Sequence, residues 1–418
     1  MLEDRPGLMD EVRGRFAHVD ACPYQGPRIF FETAGGALTL NSVVETSAKL
    51  AAIPDNQGRD NPASEAMEAL IAQGKADMHT FFNTETGRVF VGESGTEVLF
   101  RLIRAACLGT SDGRVLGSTL EHAASRSAAR QWAEAAEKPY TCIPHDPATG
   151  LVTLDHYLPH LGPDLRVVTI VHTSPVTGMS VDVPGIAAAV RAASPDCLII
   201  IDGIQHAAHG GLDLPSYDID GYAVSPYKVF SRHGYGVGWA SERLTALPHD
   251  VIDRAGDGWE LGTRDAAAYA TFSDVVRHFE WLGETIEPGE TPRRRIETAA
   301  AAIKAHEAAL CNALLFGIEN LPGIAERRDV RVLGGADNPA REGLVSFAYE
   351  GRPSAEIVAD LRRHGIRAHT RKTDAHSSNV LTPLGLPDCI RVSFGHYNTV
   401  AEVSQLLSAL QERDAPSP

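Results

Sequence analysis

Four short stretches place polar, chemistry-bearing residues directly after apolar runs, where a strand of an open α/β sheet hands over to its loop and ligands bind. In Leu198-Ile-Ile-Ile-Asp202-Gly-Ile-Gln205 a carboxylate follows four aliphatic residues, and such an acid needs a cationic partner or hydrogen bonds to stay ionised. In Tyr222-Ala-Val-Ser225-Pro-Tyr227-Lys228 a short strand ends in a lysine, and the glycine-rich Ser231-Arg-His-Gly-Tyr-Gly236 follows. An amine held at a strand end with its charge disfavoured can form an imine with an aldehyde. In Glu93-Ser-Gly95-Thr96-Glu97, after Val89-Phe-Val91, a helix opens whose first backbone N–H groups make a phosphate seat. In Leu120-Glu-His122 a flat imidazole can stack on a ring. Each stretch alone has an ordinary alternative, since strand-end acids cap helices, lysines sit on surfaces and Gly-Thr helix starts are common. Their order and separation argue for one site.

The elements that must position these residues follow from periodicity. Over 28–244, short apolar runs at 89–91, 114–117, 166–172 and 197–202 alternate with helical patterns. That alternation predicts β/α units around a mostly parallel sheet buried on both faces. From 293 to 321 apolar residues recur at helical spacing (Ile296, Ala300, Ile303, Leu310, Leu314), which predicts one long amphipathic helix leading into a smaller α/β domain. That domain is expected to hold a strand at 343–349, a helix at 354–364 and a last helix at 399–411 capped by Asn398 or Thr399. The expected division is an N-terminal segment 1–27 packing on the small domain, a large domain 28–290 and a small C-terminal domain 291–418, whose tail at 414–418 carries no element.

The bulk numbers narrow the chemistry. No apolar run among the 418 residues approaches the roughly 18 needed for a membrane span, so no membrane role is expected. A formal net charge of −16 opposes a nucleic-acid partner, because phosphate binding needs a basic face. The six cysteines are scattered without a CxxC pair, so they read as reduced thiols of a cytoplasmic protein and not as a metal site or disulfide framework. The N-terminus lacks the apolar core of a secretory signal. Small-molecule chemistry remains.

With these stretches in place, the chain resembles the class V aminotransferase family of fold-type I pyridoxal 5′-phosphate (PLP) enzymes, in its cysteine desulfurase-like and selenocysteine lyase-like branch. The resemblance runs from Phe30-Phe-Glu-Thr-Ala-Gly-Gly36 to His396-Tyr-Asn-Thr399 and is most specific over Asp202-Gly-Ile-Gln205 and Ser225-Pro-Tyr-Lys228. It implies PLP as cofactor, held by Lys228 as a Schiff base, with Asp202 beneath the pyridine nitrogen, Gln205 at the phenolic oxygen and His122 over the ring. It also implies a phosphate cradle of Gly95, Thr96, Ser225 and Tyr227, and a homodimer with shared active sites in which Trp259-Glu-Leu-Gly262-Thr263 reaches the neighbouring phosphate. Lys228 and His122 are the catalytic candidates. Arg391 matches the arginine that grips the α-carboxylate of an amino acid substrate with its planar fork.

Two departures bear on the reaction. Desulfurases carry a nucleophilic cysteine in the loop before the last strand, but here that loop is His369-Thr-Arg371-Lys372-Thr-Asp-Ala-His376, and Cys389 reads as a core residue. Pro175 stands where many members have an asparagine, and with Gly262-Thr-Arg-Asp265 it looks more like isopenicillin N epimerase-like and sulfoxide-lyase relatives. The resemblance then implies a β-eliminating lyase of the C–S type without a persulfide-forming cysteine. The alternatives are an aminotransferase, an amino-acid epimerase, or a biosynthetic enzyme joining two substrates. Positive charge from His369, Arg371, Lys372 and His376 would suit a second acidic group on the substrate, and Arg59 and Asp60 are expected near the ligand.

Overall fold

The run Leu198–Asp202 is aliphatic up to its last residue because both of its faces are covered. Ile199 and Ile201 pack into one core with Val168, Val224 and Phe272, whereas Leu198 and Ile200 pack into another with Val98, Leu102 and Ala128. Side chains that alternate between two helix-covered faces are what a two-sided buried sheet requires. The computed structural model describes residues 1–252 and 258–412, and the tail expected at 414–418 lies outside them.

Seven strands form this sheet: β1 (Arg88–Gly92), β2 (Arg114–Ser118), β3 (Tyr140–Ile143), β4 (Leu165–Val171), β5 (Leu198–Asp202), β6 (Gly221–Val224) and β7 (Gly236–Ala240). Their order is β1-β7-β6-β5-β4-β2-β3, and β7 alone runs against its neighbours. Helices α1 (Pro62–Phe82) and α4 (Ala266–Ile286) feed the first core, while α2 (Gly95–Gly109) and α3 (Ala123–Ala135) feed the second. Because β1, β2, β4, β5 and β6 point the same way, the loops that follow them emerge along one edge. All four stretches singled out in the sequence meet there.

A second sheet holds β8 (Val330–Val332), β9 (Leu344–Tyr349), β10 (His369–Lys372) and β11 (Asp388–Ser393) in the order β8-β9-β11-β10, antiparallel throughout. Its Val345, Phe347, Ile390 and Val392 pack against Leu310 and Leu314 of α5 (Pro292–Phe316), Ile357 of α6 (Ser354–Arg363) and Leu406 of α7 (Val400–Glu412). The opposite face, with Cys389 and Arg391, turns to the seven-stranded sheet and its loops. The long helix was expected to run to 321 but stops at Phe316. Gly317 takes a φ of +93°, and a Cβ there would lie 2.4 Å from the Leu321 carbonyl, so the chain turns into a two-residue hairpin instead. Thr399, not Asn398, caps α7: its Oγ1 accepts the Glu402 N–H at 3.2 Å while Glu402 accepts the Thr399 N–H at 3.1 Å. Among the described residues no helix is long and apolar enough to cross a membrane.

Candidate active site

Strand β6 stops at Val224, and Pro226, which has no N–H to offer a ladder, starts the 3₁₀ turn Pro226–Lys228. Lys228 therefore sits in a turn after the strand and not at the strand's own end, with its N–H on the Ser225 carbonyl at 2.9 Å. Its amine donates to Gln205 Oε1 at 3.3 Å. Burial, and next the charge of Arg391, push that amine down to about 7, while Asp202 opposes the shift. Asp202 ends β5 at 3% exposure and accepts the Ile204 N–H at 3.1 Å. Burial pushes its carboxyl up to about 6 against the Ile204 N–H and Lys228. The amine and the acid thus open on one cleft, near enough for each to shift the other.

The start of α2 supplies the anion seat. Ser94 caps the helix by accepting the Glu97 N–H at 3.2 Å, which leaves the first N–H groups of the turn open. A Cβ on Gly95 would sit 2.2 Å from Ser225 Oγ and 2.7 Å from Ile204 Cδ1, so the loops after β1, β5 and β6 meet only because residue 95 has no side chain. Thr96, His122, Asp202, Gln205, Ser225, Tyr227 and Lys228 line the inner cleft this creates. Hydroxyls and free N–H groups suit a phosphate, a buried carboxylate suits a protonated ring nitrogen, and an amine depressed to about 7 suits an aldehyde. That donor set fits a phosphorylated pyridine aldehyde. His122 caps α3, its Nδ1 accepting the Ala124 N–H at 3.2 Å. Burial and then Lys228 push its imidazolium down to about 3, so it presents a neutral flat ring.

Outside the cleft lies a cavity of about 520 Å³ that shares Lys228, His122, Tyr227 and Pro175 with it. Strand register decides what faces this space. His369 pairs with Arg391 and Arg371 pairs with Cys389, which puts His369, Arg371 and Arg391 on one face of the small sheet. Lys372 falls on the other face and is exposed, which corrects its expected place among the site's cations. Arg391 donates to the Pro175 carbonyl at 2.9 Å, and its buried Nε has no acceptor among the described residues. Proline at 175 thus contributes through its backbone. Burial, then Arg371, push the Arg391 guanidinium down to about 10. Arg371 is held by the Ser377 hydroxyl and, at 3.3 Å, the His376 carbonyl. The one carboxylate lining this cavity among the described residues, Glu32, is engaged by Arg367 and, at 3.3 Å, by His369. The wall keeps a net positive charge.

The structure therefore gathers Gly95, Thr96, His122, Asp202, Gln205, Ser225, Tyr227 and Lys228 at the inner cleft, and His369, Arg371, His376 and Arg391 at the outer cavity. Thr263 is exposed and lines neither space within this chain. Arg59 and Asp60 are also exposed and line neither, because the turn before α1 leaves them in solvent. Among the described residues neither cavity is lined by a thiol, and burial pushes Cys389 up to about 12. Glu32 and Arg367 were not foreseen. Glu32 follows the apolar pair Phe30-Phe31, the same pattern that marked Asp202, and could have been found by it.

The family model for Aminotransferase class-V matches residues 29–406. A cysteine desulfurase-like protein, ustD, of Aspergillus flavus is 28% identical over 93% of this chain and 87% of its own length. A probable cysteine desulfurase of Pseudomonas putida is 31% identical over 71% of this chain and 70% of its own. Among solved structures, the cysteine desulfurase CsdA of Escherichia coli superposes with a TM-score of 0.76 at 21% identity, covering 97% of this chain and 98% of that one. That likeness carries the fold, which is the type I fold of PLP enzymes.

Proposed function

This chain belongs to the class V aminotransferase family, whose members use pyridoxal 5′-phosphate, and from that premise we propose that it is a lyase expelling a β-substituent from an amino acid with a second acidic group. The observation that carries this reading is the placement of Arg371 and Arg391 on one sheet face, in a cavity lined by Lys228 and, among the described residues, by no thiol. Two guanidiniums so placed repel unless anions come between them. A substrate with two acidic groups supplies those anions. The Arg391 fork takes the α-carboxylate, and Arg371, with His369 and His376 beside it, takes the side-chain acid.

Thr96, Ser225 and the first N–H groups of α2 would hold the cofactor's phosphate, aided by the room at Gly95 and by Tyr227. Asp202 would face its ring nitrogen, Gln205 its ring oxygen and His122 its flat face. When bound, the cofactor supplies an electron sink for the pair left behind when a bond to the substrate's α-carbon breaks. Lys228, depressed to about 7, has a neutral fraction at ordinary pH and can condense with an aldehyde. With cofactor and substrate bound, the same amine would take the α-proton, and the electron pair of that bond would leave with the β-substituent. The cationic wall of Arg371, His369 and His376 stabilises the departing anion. His122 would cover one ring face as a neutral imidazole, because burial and Lys228 disfavour its imidazolium. Among the described residues no thiol lines either cavity, which supports a route without a persulfide-forming thiolate. A homodimer completes the site by bringing the exposed Thr263 loop of one copy to the phosphate seat of the other.

A panel of amino acids with neutral and acidic side chains tests this. Pyruvate, ammonia and a released acidic fragment are expected from the acidic ones. Conversion of the cofactor to its amine form would mark a transaminase instead, solvent deuterium at a racemised α-carbon an epimerase, and a product carrying a second substrate a joining enzyme.

A further inference from the structure

Gln205 does not stand alone beside Lys228. Its Nε2 lies 3.0 Å from His209 Nε2, four residues on at the C-terminal end of the 3₁₀ turn His206–Ala208, and His209 Nδ1 lies 2.7 Å from Glu307 Oε2 on α5. Both His209 and Glu307 are buried, and Glu307 Oε1 accepts no hydrogen bond among the described residues. A carboxylate in that position is costly unless it does something for its neighbour. The backbone is shaped to admit the pair: a Cβ on Gly343 would fall 2.6 Å from Glu307 Oε2 and 3.0 Å from His209 Nδ1.

Hydrogen-bond polarity then follows from one end to the other. A carboxylate accepts only, so it holds the imidazole hydrogen on Nδ1 and leaves a lone pair on Nε2. That lone pair takes the amide N–H of Gln205. The amide oxygen is thereby turned to Lys228, where the 3.3 Å contact is seen. We propose that His209 and Glu307 are positioning residues that fix the Gln205 amide with its oxygen toward the Lys228 nitrogen, so that this oxygen stabilises a proton on that nitrogen when the cofactor is bound. The groups facing His209 are Glu307, Glu342, Lys228 and His396. Burial opposes charging His209, but Glu307 and then Glu342 outweigh it, so the imidazole is raised from its ordinary value.

The inference rests on the reading of Lys228 as the cofactor lysine, and one experiment separates the two. The pH midpoint of the bound cofactor's visible band is measured in the wild-type holoprotein, in His209→Leu/Glu307→Leu, in Glu307→Gln and in Gln205→Ala. Replacing both members of the pair with leucine avoids an orphaned buried charge. The midpoint is expected to fall by about 0.5 to 1 unit in the double variant, the size one hydrogen bond commands. Gln205→Ala should show the same fall, and adding the double variant to Gln205→Ala should change nothing more. Glu307→Gln, which keeps a carbonyl acceptor for Nδ1, should stay near wild type. A double-variant midpoint equal to wild type, or a shift that persists without Gln205, overturns the proposal. A wild-type protein with no Lys228-dependent band overturns the underlying reading.

Discussion

Replacing Arg371 with glutamine isolates the second acidic contact. Arg371 and Arg391 are diagonal neighbours across β10 and β11, a spacing of about 7 Å at which like charges repel by about 2 kcal/mol at an effective dielectric of roughly 20. Solvent reduces this, because the Arg371 side chain is only half-buried, so relieving it adds about 1 kcal/mol at most. A charge-assisted hydrogen bond to a side-chain acid contributes about 1.5 to 3 kcal/mol, or a roughly 10- to 100-fold effect on kcat/KM. The assay compares amino acids of equal length that end in a carboxylate or the matching amide. Arg371→Gln should cost the acid about 10- to 100-fold while the amide stays within about 3-fold or improves, since Arg391 loses a repelling neighbour. Arg371→Lys should recover part of the loss, as it restores charge without the fork. Equal losses on both substrates would mean that Arg371 only supports the loop, and the two-anion argument would be wrong.

Lys228→Ala should abolish the visible cofactor band and cost at least about 10³-fold in turnover, read by absorbance and product formation. Without cofactor, Lys228→Met should be more stable than wild type at pH 6. Between about 7 and the ordinary lysine value the unfolded chain holds a proton that the folded one lacks, so wild-type stability rises with pH there and the gap should close toward pH 10, which chemical denaturation across pH checks. Gly95→Ala should weaken cofactor binding by about 10-fold or more, measured by titrating the apoprotein, because the added methyl meets Ser225 and Ile204. Cys389→Ala should keep kcat/KM within about 3-fold, since a thiol pushed up to about 12 in the core is not a nucleophile; a collapse of activity with the protein still folded would reinstate the cysteine.

The local signals were readable in one dimension because each depends on neighbours in the chain. An aliphatic run ending in Asp202 marks a buried strand with an acid at its mouth, and Ser94-Gly95-Thr96 marks a helix start whatever surrounds it. Thr399 and Glu402 announce the last helix three residues apart. The sheet order, the loops that meet at one edge and the amine of Lys228 among them all follow from those runs once they pair. What only the tertiary structure decided are relations between distant residues. The register of β10 against β11 sorts Arg371 into the cavity and Lys372 out to solvent, and a slip of one residue would exchange them. Glu32, nearly the whole chain away, comes to sit between Arg367 and His369. His209 and Glu307 lie 98 positions apart, yet one hydrogen bond joins them behind Gln205. Local composition sets which element forms, but charge pairing and hydrogen-bond polarity act through space, and space is set only when the two sheets pack.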